Sequence, residues 1–369
     1  MQATRTVRAG GFLLAFCLAM TACGEESSPA AEPTEGSSSP ASLEGQELVF
    51  GNFGQYTPEG LLEDFTAETG VEVTLSEFGD NEEMVGLLGA SQGTGYDVVM
   101  VTGGTHLQTL VDSGWVAELD HGQIPNISNL APAATELAFD PGNRYSVPYT
   151  WGTTGLCYRT DLVDTEINSW NQLLDPPAEL DGKVTILETD RWLLQPALLS
   201  LGYSVNTEDP AEIEEAKELT IAAKEHVLEF NDTNFWERLD DGSAGMVHAW
   251  DGWCNFVADP SVVEFVVPDE GSDAFADTMV IMESSENKEA AHAFINYILA
   301  PENHVQVAEF SLFKVPNEAA MEMLDPELLE TYPNLAIPPE EFLAYEANVP
   351  LSDEGQRLWS EAVAEVQAA

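Results

Sequence analysis

The chain reads as an α/β protein of two lobes, and two features of the sequence predict this. From residue 47 onward, short apolar runs of strand length alternate with amphipathic runs of helix length, the pattern of a parallel sheet covered by helices. The stretch beyond residue 45 is also longer than one hydrophobic core usually holds, so two cores are expected.

Residues 1–22 have the form of a secretory signal. Arg5 and Arg8 make its start basic, residues 12–20 are apolar, and small residues lead into Cys23. The apolar run is too short to span a membrane as a mature helix. The ending Met20-Thr21-Ala22-Cys23 resembles a bacterial lipobox, which makes Cys23 the expected lipidation site and an extracytoplasmic, lipid-anchored location the expected one. Residues 23–45 are rich in Ser, Pro, Glu and Ala, a composition that buries no core and reads as a flexible tether.

In the folded part, strands are expected at 47–51, 71–77 and 97–101, with helices at 58–68, 81–88 and 105–113 between and after them. Gly70 and Gly95 stand where the preceding helices want a left-handed terminal residue. Further strands are expected at 153–158, 184–187, 245–248, 262–267 and 278–282. Helical patterns cover 190–201, 210–230, 287–299 (with Pro301 marking its end) and 354–367.

The formal charge is −53 at pH 7, and losing Arg5 and Arg8 with the leader makes it more negative still. Such a chain repels nucleic-acid phosphates and anionic lipid, so no nucleic-acid partner is expected. A salt-adapted acidic surface explains the charge better than ligand attraction does, because exposed charges beyond a Debye length are screened. Once Cys17 and Cys23 are set aside, Cys157 and Cys254 remain, and in an oxidising compartment they are either a disulfide or two buried thiols.

The motifs of catalysis are missing. There is no G-x-S-x-G, H-E-x-x-H or phosphate-binding loop, and the six histidines show no metal-ligand spacing, so neither enzyme activity nor a cofactor is expected. Gly103 and Gly104 follow a strand and precede a helix but have no basic neighbour, and read as a tight turn. His248 beside Trp250 reads as a core histidine, and Glu188 and Asp190 lack a companion nucleophile or base. Aromatic residues do recur beside polar or acidic ones where elements end, as at Phe53/Tyr56, Trp250/Asp251/Trp253 and Phe275/Asp277. Aromatic faces attract cations, and carboxylates make charge-assisted hydrogen bonds to ammonium groups, so the pattern suits a cationic ligand.

The segments GNFGQYTPEGLLEDFTAETGVEV, GYDVVMVT, YSVPYTWGTTGLCYRTD, LLQPALLSLGYSVNTEDPAEIEEA and AFADTMVIMESSENKEAAHAFINYIL, followed by KVPNEAA, resemble the spermidine/putrescine-type solute-binding proteins of bacterial ABC importers. The resemblance implies a two-lobe periplasmic-binding fold, each lobe a mainly parallel sheet flanked by helices, with the ligand in the inter-lobe cleft. Lobe 1 would comprise 46–152 plus 277–318, and lobe 2 would comprise 153–276 plus 319–369. It implies a monomer that closes around a polyamine and delivers it to ABC permease subunits, touching the membrane only through its lipid. The same role for a quaternary amine or an amino-acid-like solute is the alternative.

By this resemblance Phe53 and Tyr56 sandwich the ligand's methylenes and Thr102 supplies a hydroxyl. Trp250, with Trp253 competing, stands for the second lobe's tryptophan, while Phe275, Asp277 and Phe313 complete the box. Asp277 is the carboxylate expected to hold an amine. The chain departs from the family where Gly54 and Gln55 replace polar or acidic residues, and where Thr189 and Trp192 stand at positions that receive a terminal amine. Glu188, Asp190 or Asp251 could substitute. The expected ligand-binding set is Phe53, Gln55, Tyr56, Thr102, Trp192, Trp250, Asp251, Phe275, Asp277, Phe313 and Glu346.

Overall fold

Strand β1 (Glu47–Phe53) buries Leu48 and Phe50 and pairs in parallel with β2 (Glu72–Phe78), from Glu47 opposite Glu72 to Phe53 opposite Phe78. The computed structural model describes residues 43–369, so the signal at 1–22, Cys23 and nearly all of the tether lie outside the described residues. Helix Leu61–Thr69 joins the two strands and ends on Gly70 at φ 77°, a left-handed conformation that glycine adopts without steric penalty. Helix Asn81–Ser91 begins where the Asp80 side chain accepts the Glu83 N–H. Its left-handed terminus is Gln92 rather than the expected Gly95, because the Gly93 N–H already closes onto Leu88 O.

β3 (Val98–Thr102) is wholly buried and extends the parallel set beyond β1. The centre of the sheet is antiparallel. β4 (Ser146–Arg159) pairs with β9 (Asp273–Ile281), which in turn pairs with β3. β5 (Val184–Ile186), β6 (Val227–Phe230), β7 (Met246–Trp250) and β8 (Val263–Val266) complete the far half, while β10 (Glu346–Ala347) adds to β9. The main order is β2-β1-β3-β9-β4-β7-β5-β6, a mixed sheet of ten strands flanked by helices. Parallel pairing holds at its two outer parts.

β4 and β9 run longer than their sequence patterns suggested, since strands buried on both faces show no polar alternation to mark their ends. β4 changes partner along its length: Ser146 to Thr153 face β9, and Thr154 to Tyr158 face β7. The stretch 210–230 is not one helix. Helix Pro210–Ala223 stops, and Val227-Leu228-Glu229-Phe230 turns back as β6 beside β5. Beyond Pro301, which does end one helix, the same proline opens another, Pro301–Ser311, where its missing N–H costs nothing.

Buried apolar side chains fall into separate cores. One gathers β1, β3, β9, the first half of β4 and helix Lys288–Ile298. Another gathers Leu156, Trp170, Ile186, Leu194 and Trp359, from the far half and the final helix Asp353–Ala368. Residues 319–342, expected with the second lobe, pack with the first core through Ala320, Leu324 and Phe342. A third cluster surrounds Cys157 and Cys254, which form a disulfide with Cα atoms 5.9 Å apart.

Candidate functional site

Asp277 sits in the middle of β9, opposite Thr102 on β3 and Thr150 on β4. Both cross-strand neighbours turn hydroxyls toward it. Thr102 Oγ1 donates to Oδ1 at 2.6 Å, while Oδ2 accepts from Tyr56 Oη at 2.8 Å and from Thr150 Oγ1 at 3.4 Å. A further layer fixes these donors. Asn81 accepts the Thr102 N–H and donates to its hydroxyl, each at 2.9 Å, and Tyr149 Oη donates to Tyr56 O at 2.7 Å.

The carboxyl is only 7% exposed, and it has no ion-pair partner among the described residues. Burial raises its pKa above the usual carboxylate value, and the hydroxyl bonds offset that only in part. Burial, with the neighbouring Asp277 charge, likewise raises the Tyr56 phenol. This site can accept an ammonium group.

Asp277 lies on the wall of a cavity of about 310 Å³, lined from both halves of the sheet. Phe53 enters from the end of β1, Gln55 and Tyr56 from the loop after it, Thr102 from the end of β3, Trp250 from β7, and Phe275 and Asp277 from β9. Trp192 enters from helix Asp190–Leu201, its indole N–H held by Asp273 Oδ2 at 2.9 Å. Phe313 joins from the turn after helix Pro301–Ser311. The rings touch in a continuous series: Phe53 with Tyr56 (5.7 Å), Tyr56 with Phe313 (5.6 Å), Phe313 with Phe275 (6.1 Å) and Trp253 (6.2 Å), and Trp253 stacked on Trp236 (4.5 Å).

Two expected residues lie elsewhere. Asp251 is 1% exposed and turned away from the cavity into an ion pair with Lys314, because burying a carboxylate there demands a cation. Glu346 is exposed and accepts from Ser204 Oγ at 2.7 Å and the Val205 N–H at 3.0 Å, outside the cavity. Glu188 is exposed and does not line the cavity either. His248 is buried edge-on to Trp170, and burial pushes its pKa down to about 3, so it is neutral. Gly103 and Gly104 are glycines for lack of space. A Cβ on Gly103 would meet the Phe139 ring at 2.3 Å, and one on Gly104 would meet Asn348 O at 2.1 Å.

Sequence reasoning missed Asp232, Trp236 and Glu82 as lining residues. Asp232 accepts the backbone N–H of Glu188 at 2.7 Å and of Thr189 at 2.9 Å, together with the Thr189 hydroxyl. Its signal lay in Phe230-Asn231-Asp232, the carboxyl end of a strand, where open α/β sheets bind ligands. Reading 210–230 as one helix concealed that end.

Burial pushes the Asp232 carboxyl up to about 6, against the opposing hydrogen bonds from Thr189 and the Glu188 N–H. The native state therefore holds a proton that the unfolded chain releases between about pH 4 and 6. Stability from this group is present at low pH and is lost as pH rises through about 6. The drop in melting temperature of the ligand-free protein from about pH 5 to pH 7 is expected to shrink in Asp232→Asn. Identical pH slopes in the two proteins would show that the carboxyl titrates normally.

Among the described residues no His, Cys, Asp or Glu cluster could hold a metal ion, and no helix is long and apolar enough to cross a membrane. A family model described as bacterial extracellular solute-binding protein matches residues 60–336. The chain is 36% identical over 284 residues to the spermidine/putrescine-binding periplasmic protein of Escherichia coli (strain K12), a match covering 76% of this chain and 80% of that protein. It is 31% identical over 295 residues to the putrescine/cadaverine-binding protein of Pseudomonas aeruginosa, covering 77% and 83% respectively.

The solved structure of a spermidine/putrescine ABC transporter substrate-binding protein from Streptococcus pneumoniae matches with a TM-score of 0.77 at 28% identity. That match covers 88% of this chain and 99% of the other. These relatives are solute-binding proteins and not enzymes. Matched by the family model over most of its folded residues and by relatives over most of their length, the chain belongs to the spermidine/putrescine-binding family of bacterial extracellular solute-binding proteins.

Proposed function

We propose that this protein binds a polyamine of the putrescine or spermidine type in the aromatic cavity and delivers it to the permease of an ABC importer. The observation that carries this reading is Asp277, a buried carboxylate with no cation beside it among the described residues, set among aromatic rings. A polyamine joins ammonium groups by methylene chains: the rings cover the methylenes, and carboxylates neutralise the charges. The names of the Escherichia coli and Pseudomonas relatives, which bind spermidine, putrescine or cadaverine, support the same class.

In this reading the protein is a monomer outside the cytoplasm, held by lipid on Cys23 and a tether at 23–45. Two lobes close on the ligand by a hinge, and contacts to both stabilise the closed form. The first lobe takes 46–152, 277–318 and the 319–342 segment that packs with its core. The crossings lie where β4 changes partners at Thr153 and Thr154, near Phe275 on β9, and between Phe342 and Asp353.

Calorimetry and thermal shift against putrescine, cadaverine, spermidine, choline, betaine and amino acids test it. A diamine or triamine is expected to bind one to one and give the largest rise in melting temperature. At a hundredfold excess over Kd the stabilisation is about 2.7 kcal/mol. A preference for choline, betaine or an amino acid over every polyamine would assign the site to that other solute class.

A further inference from the structure

A buried dication leaves one ammonium unneutralised if Asp277 is the only carboxylate it meets, and unpaired buried charge is strongly unfavourable. The loop after β1 brings no second acid to the cavity, since it lines the wall with Gly54, Gln55 and Tyr56 while its Glu59 is exposed and outside the lining. Three other acids line the cavity. Glu82 has a side chain 51% exposed and already pairs with His106 at 3.2 Å. Asp80 is exposed and engaged in starting helix Asn81–Ser91. Asp232, like Asp80, accepts backbone hydrogen bonds at a helix start, but it is partly buried and no Lys, Arg or His forms an ion pair with it among the described residues. It comes from the half of the sheet opposite to Asp277.

Resting on the polyamine reading above, we propose that Asp232 is the second charge-bearing ligand contact, receiving the ammonium at the end of the polyamine away from Asp277. The donors around it set its direction. Two backbone N–H groups and the Thr189 hydroxyl hold the carboxylate at the start of helix Asp190–Leu201, on the wall of the cavity that Trp192 and Trp236 also line. These donors come from a loop of the same half, so the carboxylate keeps its place before any ligand arrives. An ammonium group bound there bridges the two halves through the ligand itself. Asp232 thereby selects for diamines over monoamines, because a monoamine satisfies Asp277 and gains nothing at the other end.

The test compares putrescine with butylamine, which shares its four carbons and lacks the second amine, by calorimetry on the full protein. The wild type is expected to favour putrescine at least tenfold. Asp232→Asn is expected to lose tenfold or more in putrescine affinity while butylamine affinity changes less than twofold, so the ratio collapses. An unchanged ratio, or equal losses for both ligands as a purely structural residue would give, overturns the proposal. If Asp232→Asn lacks a native circular dichroism spectrum, Thr189→Ala, which removes the hydroxyl donor alone, is read in its place. A smaller fall in the ratio supports the proposal and no fall overturns it. A wild type that binds no polyamine sinks the functional reading and this inference together, and that result appears before any variant is made.

Discussion

Lys314→Met is expected to lower the stability of the ligand-free protein by about 3–5 kcal/mol, the usual consequence of removing one partner from a buried ion pair. Lys314 and Asp251 are 3% and 1% exposed, and the ammonium also reaches Asn334 O at 3.3 Å and lies 5.2 Å from the Phe342 ring. Burial raises the Asp251 pKa even with Lys314 beside it, so without the lysine the carboxylate must be buried uncompensated or take up a proton. The pair joins distant segments. Asp251 follows β7, whereas Lys314 bonds through its carbonyl to the Trp151 N–H on β4. Urea unfolding at neutral pH measures the loss, and Asp251→Asn combined with Lys314→Met is expected to recover much of it. A single variant within about 1 kcal/mol of wild type would show that the pair contributes little net stability.

The second large effect is on binding. Asp277→Asn is expected to weaken any amine ligand by more than tenfold, which is at least about 1.4 kcal/mol. The substitution keeps the side chain's shape and can still accept from Thr102 or Tyr56, so the loss is one of charge rather than packing. It also reverses the sign of the stability effect. A buried carboxylate with no ion-pair partner among the described residues burdens the ligand-free protein, so the variant is expected to melt at the same or a higher temperature at neutral pH. Binding sites often carry such a trade-off between stability and activity. Calorimetry showing unchanged affinity would remove Asp277 from the site.

The sequence pointed to Asp277, which lines the cavity, because its family pattern, an aromatic two residues before an acid, is local. It did not locate Asp232, because that required knowing that Val227–Phe230 is a strand next to β5. Strand partners are not encoded within the four residues of the strand. The same limit explains Asp251 and Glu346. Both are acids near aromatics in the chain, but one is claimed by a lysine 63 residues away and the other by Ser204 and Val205. A hydrophobic period shows that a side chain faces inward and says nothing about what it meets there.

By itself the sequence determined the α/β alternation, the aromatic character of the loop after β1 and the family. These rest on composition, period and local motif, which neighbouring residues share. Only the tertiary structure decided that the sheet's centre is antiparallel, that residues 319–342 pack with the first core, and which carboxylates line the cavity with no ion-pair partner among the described residues. Those outcomes depend on pairings between segments far apart in the chain. Burial makes such pairings decisive: once a charged group leaves water, its nearest neighbour in space settles whether it holds the fold together or waits for a ligand.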